Sequence, residues 1–451
     1  MTQQPRLPLW FLVVNWGLLV VAFASGAMLG SRNSVPDLPE PHATAISRIH
    51  AEILRSHVDP PSGKELLNRA IAGMVDGLDE YSKYVSPEEL AAYVEHSTGR
   101  YEGVGMVISQ QGEELVLLFP FAGSAAERAG VQPGDRLLAI DGKLVAELPV
   151  EGRSAAATDL VRGAAGTSVV LRIARGDERI NLSIGRAPVQ RQVVKWAHLA
   201  DQEKRLGYVY LSDFHPGATA ELAAAIERLG GTSLRGLILD LRFNGGGSLD
   251  ECADIARLFV REGVIVSLRR RDETLEEYRA DPTKLRFADL PLVVLVNGHS
   301  ASASEVLAGA LQDHRRAAVV GARTFGKGFV NTVYSWPDLP LKLKLTTAHY
   351  YTPNGRNIDR PHGRNGTPQP TEESDKGGIF PDVAAETTAE QFSAYYRQLS
   401  RHETPPAYLE AFREVASKYG LEVPAPPTAQ GDLQFAAALR ALDDRIGSEK
   451  R

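Results

Sequence analysis

An alternation of short apolar runs and helical stretches between about residues 205 and 360 most constrains how this chain can fold. The runs are almost continuously apolar, which is typical of strands buried on both faces of a parallel sheet. The stretches between them have apolar residues at helical spacing. The predicted strands are Leu206–Leu211, Arg235–Leu241, Leu292–Val296 and Ala317–Val320, and the predicted helices are Ala218–Leu229, Leu249–Val260 and Ser304–Leu311. This pattern predicts an α/β core built from βα units.

The segments on either side of the core have a different character. Residues 101–187 hold short β runs separated by turn signals, which predict a small mixed-β domain. Helical spacing dominates residues 44–100, where Ser86 is predicted to cap a further helix that begins at Pro87. The core is then predicted to span 188–385 with a flexible insertion at 361–378, and a helical C-terminal region to span 386–451. Helical arms of this kind need a partner surface, within the chain or in a dimer.

The N-terminus carries an uncharged apolar stretch, Leu7–Leu29. At about 1.5 Å per residue, it is long enough to cross a hydrocarbon core of about 30 Å. Residues 1–30 are therefore predicted to be an uncleaved transmembrane signal anchor or, with Ala22-Phe23-Ala24 as the cleavage site, a signal peptide. Residues 31–43 are polar and rich in proline, which predicts a linker. Either alternative predicts that the body of the protein is exported.

Charge and cysteine content exclude several classes of function. The formal net charge is −6, so no basic face is implied and nucleic acid is not expected as a partner. Cys252 is the only cysteine, and one cysteine cannot form an intrachain disulfide, a cysteine-based zinc site or a CxxC redox centre. Cys252 itself is predicted to be a small core residue, because it lies in the helix after a glycine-rich loop.

Two loops follow predicted core strands, at the edge where open α/β sheets bind ligands. Asp240–Gly247 ends in consecutive glycines, which form either a simple turn or a nest of N–H groups for an oxyanion. The second loop brings three serines, Ser300, Ser302 and Ser304, to the start of a helix. It is either a plain helix cap or the site of a nucleophilic hydroxyl, and spacing alone does not choose among the three serines.

A third loop places Lys327 between two glycines. The lysine is either a solvated loop residue or a desolvated general base for a serine. A phosphate-binding loop does not fit, because neither GxxxxGK[ST] nor GxGxxG is present in these loops. A Ser–His–Asp triad stays possible in principle, since the core contains His299, His314 and His349 together with Asp240 and Asp313, but none of them stands in a diagnostic motif.

With these loops in view, the sequence resembles the carboxyl-terminal processing peptidases, or tail-specific proteases. The matching segments are Ile238–Gly247, Gly298–Gln312, Val320–Gly328, Tyr350–Ile358 and Gly378–Asp382 in the core, and Tyr101–Gly105, Gly123–Asp135 and Arg162–Thr167 in the small domain, which is similar to a PDZ domain. The resemblance implies a crotonase/ClpP-like α/β core with an inserted PDZ domain. It also implies a bacterial cell-envelope serine endopeptidase on the periplasmic side, anchored in the inner membrane by residues 7–29 and needing no cofactor or metal.

The resemblance also assigns roles to residues of this chain. Ser302 would be the nucleophile and Lys327, 25 residues later, the general base, with the amides of Gly246 and Ala303 forming the oxyanion hole. Burial against Phe325 and Phe329 is expected to lower the pKa of the lysine. The remaining roles would be Arg162 as a regulatory residue, Asn331 as the residue that orients the amine, and Gly103, Val104, Gly105 and Met106 as the loop that binds the C-terminus of a protein substrate. The helical arms would make the protein a homodimer or higher oligomer, and an adaptor protein is a possible partner.

The sequence departs from the family pattern at several of these positions. Asn331 stands where glutamine is usual, Gly245 where proline is usual, and Phe243 where asparagine is common. A segment that usually reads Leu-Asp-Pro-His-Ser is Leu78-Asp79-Glu80-Tyr81-Ser82 here. These departures predict a loosened oxyanion loop, and they keep a catalytically weak or inactive PDZ adaptor as the alternative function. A crotonase-like acyl-CoA enzyme is disfavoured by the PDZ-like domain and the export signal.

Overall fold

A computed structural model describes residues 38–273, 275–360, 377–400, 408–423 and 427–448. The helices are α1 (Glu40–Ser56), α2 (Gly63–Asp76), α3 (Leu90–Thr98), α4 (Ala125–Arg128), α5 (Arg153–Val161), α6 (Ala218–Leu229), α7 (Leu249–Arg257), α8 (Ala303–Asp313), α9 (Ala389–Ser400), α10 (Leu409–Tyr419) and α11 (Leu433–Ser448). The chain divides into two compact units, residues 1–77 and 78–451.

The strands that the structure describes all lie in the second unit. They are β1 (Lys83–Val85), β2 (Arg100–Gly103), β3 (Met106–Gln111), β4 (Glu114–Pro120), β5 (Arg136–Ile140), β6 (Lys143–Leu144), β7 (Ser168–Arg175), β8 (Glu178–Gly185), β9 (Ala187–Gln190), β10 (Val194–Asp201), β11 (Leu206–Leu211), β12 (Gly236–Asp240), β13 (Val264–Arg270), β14 (Leu275–Arg279), β15 (Leu292–Val296), β16 (Ala317–Gly321), β17 (Phe329–Trp336), β18 (Leu339–Tyr351) and β19 (Val383–Ala384).

The predicted α/β core is confirmed. Its sheet has the order β10-β11-β12-β15-β16-β19, and all pairs are parallel except the antiparallel edge pair β10–β11. One face packs on α6, α7 and α8, and the other face packs on α11 and the end of α9. Strands covered on both faces must be apolar on both sides, which explains their continuous apolar sequence.

A second, antiparallel sheet lies beside the core and was not among the predicted elements. Its order is β1-β18-β13-β14, and β17 pairs with β18 in a hairpin. Strand β1 lies within the segment 44–100, so that segment is not wholly helical. The turn after Ser86 does form, with the carboxylate of Glu89 accepting from the amide of Ser86, but the α-helix begins only at Leu90.

The small domain forms its own sheet and core between β2 and β9. The sheet order is β3-β4-β5-β7-β8, with β6 paired to β5. Apolar side chains from these strands and from α4 and α5 form a separate buried cluster around Leu117 and Leu171. The ribbon of β2 and β9 brings both ends of the domain together where it joins the rest of the chain.

The described part of the first unit, residues 38–77, is a pair of helices, α1 and α2, with little buried apolar surface. Helix α1 begins at Glu40, inside the stretch predicted to be a linker, because Pro41 in the first turn has no amide that needs a partner. Val75 is buried, but Ile49 and Met74 are 61% and 70% exposed. The predicted membrane segment, Leu7–Leu29, lies outside the described residues. Within the described part of the chain, no helix combines the length and apolarity that a membrane span requires.

Candidate active site

The three predicted loops meet at one edge of the core sheet. Strands β12, β15 and β16 are neighbours in parallel register, with Asp240 opposite Leu295 and Leu295 opposite Val320. Their carboxyl ends therefore lie side by side. The glycine loop (residues 240–247), the serine loop (residues 297–304) and the lysine loop (residues 322–328) all leave the sheet there. This is the edge at which ligands bind in sheets of this type.

Contacts of the three serines separate them. The hydroxyl of Ser300 donates to the carbonyl of Leu241 at 2.8 Å, and the hydroxyl of Ser304 donates to that of Asn244 at 2.8 Å. Both serines are fully buried and hold the glycine loop in place. Ser302 instead stands at the N-cap of α8 with φ of 57° and ψ of −118°, a backbone conformation that costs about 1–3 kcal/mol for a residue other than glycine. Strain of this kind concentrates at functional positions, so the structure favours Ser302 as the reactive serine.

A single buried carboxylate ties the serine loop to the lysine loop. Oε2 of Glu305 accepts from the amide of Ser302 and from the amide of Lys327, each at 2.8 Å. Oε1 accepts from the amide of Gly326 and the hydroxyl of Thr324, each at 2.6 Å. Burial raises the pKa of Glu305, while these four donors favour its charged form. The sequence marks Glu305 only as a helix cap, and its link to a loop 22 residues further on has no local signal.

The environment of Lys327 favours a neutral amine. Burial and, to a lesser extent, the nearby charge of Lys344 lower the pKa of Lys327 to about 8, although Glu305 and Glu80 act in the opposite direction. Nζ of Lys327 lies 4.9 Å from the centroid of the Tyr81 ring. Tyr81 was not among the predicted site residues, and its ring in turn packs on Phe329 at 5.8 Å.

The glycines beside the lysine are required by a close approach of the chain. A Cβ atom on Gly326 would lie 2.4 Å from Cβ of Arg360, and one on Gly328 would lie 2.4 Å from the amide nitrogen of Asp359. Any side chain at either position would therefore displace the lysine loop from the segment that follows β18.

Ser302 and Lys327 have no hydrogen bond between their side chains in the part of the chain that the structure describes. The side chain of Ser302 instead lies near the phenol of Tyr350, whose pKa is raised by burial. Tyr350 is 5% exposed and was not predicted as a site residue. The structure thus brings the backbones of the serine and the lysine together, while their side chains are not yet engaged with each other.

The two predicted oxyanion amides lie on adjacent segments. Gly246 has φ of 104°, and a Cβ atom there would lie 2.8 Å from Cβ of Ser302 and 3.0 Å from the amide nitrogen of Ala303. Glycine is therefore the residue that this contact allows. The amide of Gly246 donates to Oδ1 of Asn244 at 2.9 Å, so one of the two donors already has a partner.

The glycine loop is anchored more firmly than its departures from the family pattern suggest. Phe243 takes φ of 60° and donates its amide to Oδ1 of Asn297, while Asn244 donates its side-chain amide to the carbonyl of Leu211. At the base of the loop, Arg242 is fully buried between two carboxylates, those of Asp240 at 2.6 Å and Asp432 at 2.7 Å. The predicted loosening is not what the structure contains.

Asn331 does not contact the lysine amine. Its side-chain amide donates to Oγ1 of Thr346 at 3.0 Å, and that hydroxyl donates to Asp79. Asp79 also accepts from the amides of Tyr81 and Ser82, which builds the turn that carries Tyr81 to Lys327. Asn331 is thus connected to the environment of the lysine through this turn, and no hydrogen bond joins it to the amine among the described residues.

A cavity of about 490 Å³ separates the small domain from the core. Gly103, Val104, Gly105 and Met106 line one side of it, and Phe243 and Tyr396 line the other. Gly105 has φ of 77°, and a Cβ atom there would lie 2.6 Å from Cβ of Ser124, so the loop requires glycine at this position.

Arg162 also borders this cavity. Its guanidinium pairs with Glu95 of α3 at 3.0 Å and stacks on the ring of Tyr101 at 4.8 Å, while Arg191 pairs with the other oxygen of Glu95 at 2.7 Å. The structure therefore links this arginine to a helix and to the strand that enters the small domain, and not directly to Ser302 or Lys327.

The chain is similar to known peptidases over most of its length. The family model of peptidase family S41 matches residues 205–368, and that of the PDZ domain matches residues 122–175. The carboxy-terminal-processing protease of Bartonella bacilliformis is 35% identical over 413 residues, which cover 88% of this chain and 87% of that protein. The chain belongs to peptidase family S41.

Further relatives carry the same description. The carboxyl-terminal-processing protease of Synechocystis is 37% identical over 310 residues, covering 67% of this chain and 70% of that protein. The solved structure of a photosystem II D1 C-terminal processing protease is 30% identical with a TM-score of 0.41, and the match covers 76% of this chain and 92% of that one. The protein is a serine-type peptidase of the carboxy-terminal-processing family, with a PDZ domain inserted ahead of its catalytic core.

Proposed function

We propose that this peptidase binds protein substrates by their C-termini in its PDZ domain and cleaves them through an acyl-enzyme on Ser302, with Lys327 as the general base. The observation that supports this most directly is the carboxylate of Glu305, which holds the backbone amides of both residues on one oxygen atom. Such a tie fixes the two loops relative to each other, and correct placement of nucleophile and base supplies much of the rate in reactions of this kind.

The proposed reaction begins with attack of Oγ of Ser302 on the scissile carbonyl carbon, while the hydroxyl proton passes to the neutral Nζ of Lys327. The amides of Gly246 and Ala303 donate to the oxyanion. To do so, the amide of Gly246 gives up its hydrogen bond to Oδ1 of Asn244 and forms one to the oxyanion instead. Collapse of the tetrahedral intermediate breaks the peptide bond, and the leaving amine takes the proton from Lys327. Water then attacks the ester, Lys327 accepts its proton, and Ser302 recovers that proton as the product acid leaves.

The substrate would enter from the PDZ side. Residues 103–106 face the cavity that reaches Phe243, three residues before Gly246. A C-terminus held by this loop would therefore lie next to the glycine loop of the catalytic core. Arg162 is proposed to have a regulatory role through Glu95 and Tyr101, and Asn331 to act on Lys327 through Thr346 and Asp79.

Location and assembly are part of the same proposal. We propose that residues 7–29 anchor the protein in the inner membrane or direct its export, so that the catalytic core works in the periplasm. The exposed apolar side chains of α1 and α2 support a homodimer or higher oligomer, because such residues are unfavourable in water unless a partner covers them. An adaptor protein is a further candidate partner.

A catalytically weak PDZ adaptor is the second candidate, favoured by the missing hydrogen bond between Ser302 and Lys327. A fluorophosphonate probe separates the two, since it phosphonylates only an activated serine hydroxyl. We expect the purified wild-type protein to be labelled and peptide mapping to place the label on Ser302. An unlabelled wild-type protein that still binds C-terminal peptides would support the adaptor and contradict the peptidase mechanism.

The pH dependence of cleavage tests Lys327 as the base. Only the neutral amine accepts a proton, so kcat/KM is expected to rise about tenfold per pH unit below the pKa of about 8 and to level off above it. Two variants shift the profile in opposite directions. Lys344→Met removes a neighbouring positive charge and should raise the pKa, whereas Glu80→Gln removes a negative charge and should lower it. Profiles that coincide for all three proteins would exclude Lys327 as the titrating group.

A further inference from the structure

Phe243 is an aromatic residue in a backbone conformation that its side chain does not favour. Its φ of 60° lies in the left-handed region, which glycine and asparagine enter readily and bulky residues rarely enter. It stands in the glycine loop, three residues before Gly246. Strained backbone of this kind persists only where the surrounding structure holds it.

Helix α9 supplies the surroundings that hold Phe243. The ring of Phe243 lies 4.8 Å from that of Phe392 and 5.4 Å from that of Tyr396, both in edge-to-face geometry. Phe392 and Tyr396 are four residues apart on α9, so they stand on the same face of that helix. Aromatic pairs at these distances attract beyond the burial of their surface.

The same helix also contacts the serine loop. The ring of His299 lies 4.9 Å from Phe392 and 6.0 Å from Phe243. Oδ1 of Asn297 accepts from the amides of both Phe243 and His299, at 3.1 and 3.0 Å. The glycine loop and the serine loop are thus joined by one amide oxygen and covered by one aromatic pair from α9.

We propose that Phe392 and Tyr396 are positioning residues: by clamping the ring of Phe243, α9 keeps the glycine loop in the conformation that presents Gly246 beside Ser302. The proposal rests on the peptidase mechanism above, because its effect is exerted on the oxyanion amide. It assigns a role in the reaction to helix α9 of the C-terminal region, which acts on Ser302 only through the glycine loop.

Burial distinguishes this role from ordinary core packing. Tyr396 is 55% exposed, and Phe392 and Phe243 are only partly buried. Truncating Phe392 therefore removes little apolar core, and a structural role would change stability and activity only slightly. A positioning role instead lowers kcat while thermal stability and KM stay almost unchanged.

The test uses the full chain and a double-mutant cycle. Phe392→Ala is expected to lower kcat and the rate of fluorophosphonate labelling by roughly tenfold, less than the loss of 10²–10³-fold seen when an oxyanion donor is removed. Phe392→Tyr keeps the ring and should retain the wild-type rate. Trp336→Ala, which truncates an exposed aromatic residue at the tip of the β17–β18 hairpin, serves as the control and should leave both rates unchanged.

The second arm replaces the strained residue itself. Phe243→Asn places at this position a residue that adopts the left-handed conformation readily, so the loop no longer depends on the clamp. In that background, Phe392→Ala should change kcat less than twofold. An equal loss of kcat in both backgrounds, or an effect confined to KM, would overturn the proposed role of Phe392 and Tyr396. If the wild type is still labelled in that case, the peptidase mechanism itself stands. A wild type that is not labelled would overturn both.

Discussion

Replacing Ser302 with alanine is expected to lower kcat/KM for cleavage of an unstructured, C-terminally recognised substrate by on the order of 10⁴-fold or more, because the neighbouring hydroxyls of Ser300 and Ser304 are buried and donate to backbone carbonyls. Binding of a C-terminal peptide should be unchanged, since the loop at 103–106 lies on the far side of the cavity. Cleavage of the substrate on a gel and peptide binding by calorimetry measure the two quantities separately.

Ser300 and Ser304 provide matched controls for this variant. Their hydroxyls donate to the carbonyls of Leu241 and Asn244, and that of Ser300 also accepts from the amide of Asn297. Ser304→Ala therefore removes one buried hydrogen bond and Ser300→Ala removes two, each worth about 0.5–1.5 kcal/mol of stability. Both variants should still react with the fluorophosphonate probe, although more slowly. Persistent cleavage by Ser302→Ala, or labelling that disappears only with Ser304→Ala, would show that the wrong serine has been assigned.

The second large effect is expected at Glu305. In Glu305→Gln, one carboxylate oxygen is replaced by an amide NH2 group, which donates and cannot accept, so at least one buried donor loses its acceptor at a cost of about 1–3 kcal/mol. The serine and lysine loops then move apart. A displacement of about 1 Å in a catalytic group can lower the rate on the order of 10²-fold, and we expect a fall of that size in kcat/KM.

Glu251 provides the control for Glu305. It stands at the same position of α7 that Glu305 occupies in α8, and its carboxylate likewise accepts from a neighbouring segment, through the amides of Gly217 and Thr219 and the hydroxyl of Thr219. Glu251→Gln should lower the melting temperature comparably while kcat/KM changes only a few-fold. Equal loss of activity in the two variants would mean that Glu305 acts through general stability and not through the dyad.

The parts of the molecule that the sequence predicts are those with local signals. Strands β11 and β15 match their predicted bounds because each is a continuous apolar run covered on both faces. The three loops were placed correctly because parallel strands bring their carboxyl ends to one edge. Even the hairpin β17–β18 has a local signal that was not used, since Leu341, Leu343 and Leu345 alternate with lysines at period two.

The parts that were missed depend on partners distant in sequence. Tyr81 reaches Lys327 only because β1 pairs with β18, and Arg242 is held by Asp432, a residue of the C-terminal region. The spacing of residues in the sequence around Lys327 or Asp240 does not predict these contacts. Likewise, the sequence shows Phe243 only as a departure from the family pattern that is expected to loosen the loop. The contact with the ring of Phe392, 149 residues further along the chain, has no local signal.

The pairing of β1 with β18 also affects when, during synthesis and folding, the active site is completed. Strand β1 is made before the serine and lysine loops, but its partner, Lys342–Lys344, emerges only after Ser302 and Lys327 have both been made. Pairing across such a separation is slow, because the intervening loop must close before any contact is gained. Until then we expect Tyr81 not to lie beside the lysine and the amine of Lys327 to stay hydrated and protonated. A nascent or C-terminally truncated chain that already contains the serine and the lysine is therefore expected to be inert, which protects the newly made chain from premature proteolysis.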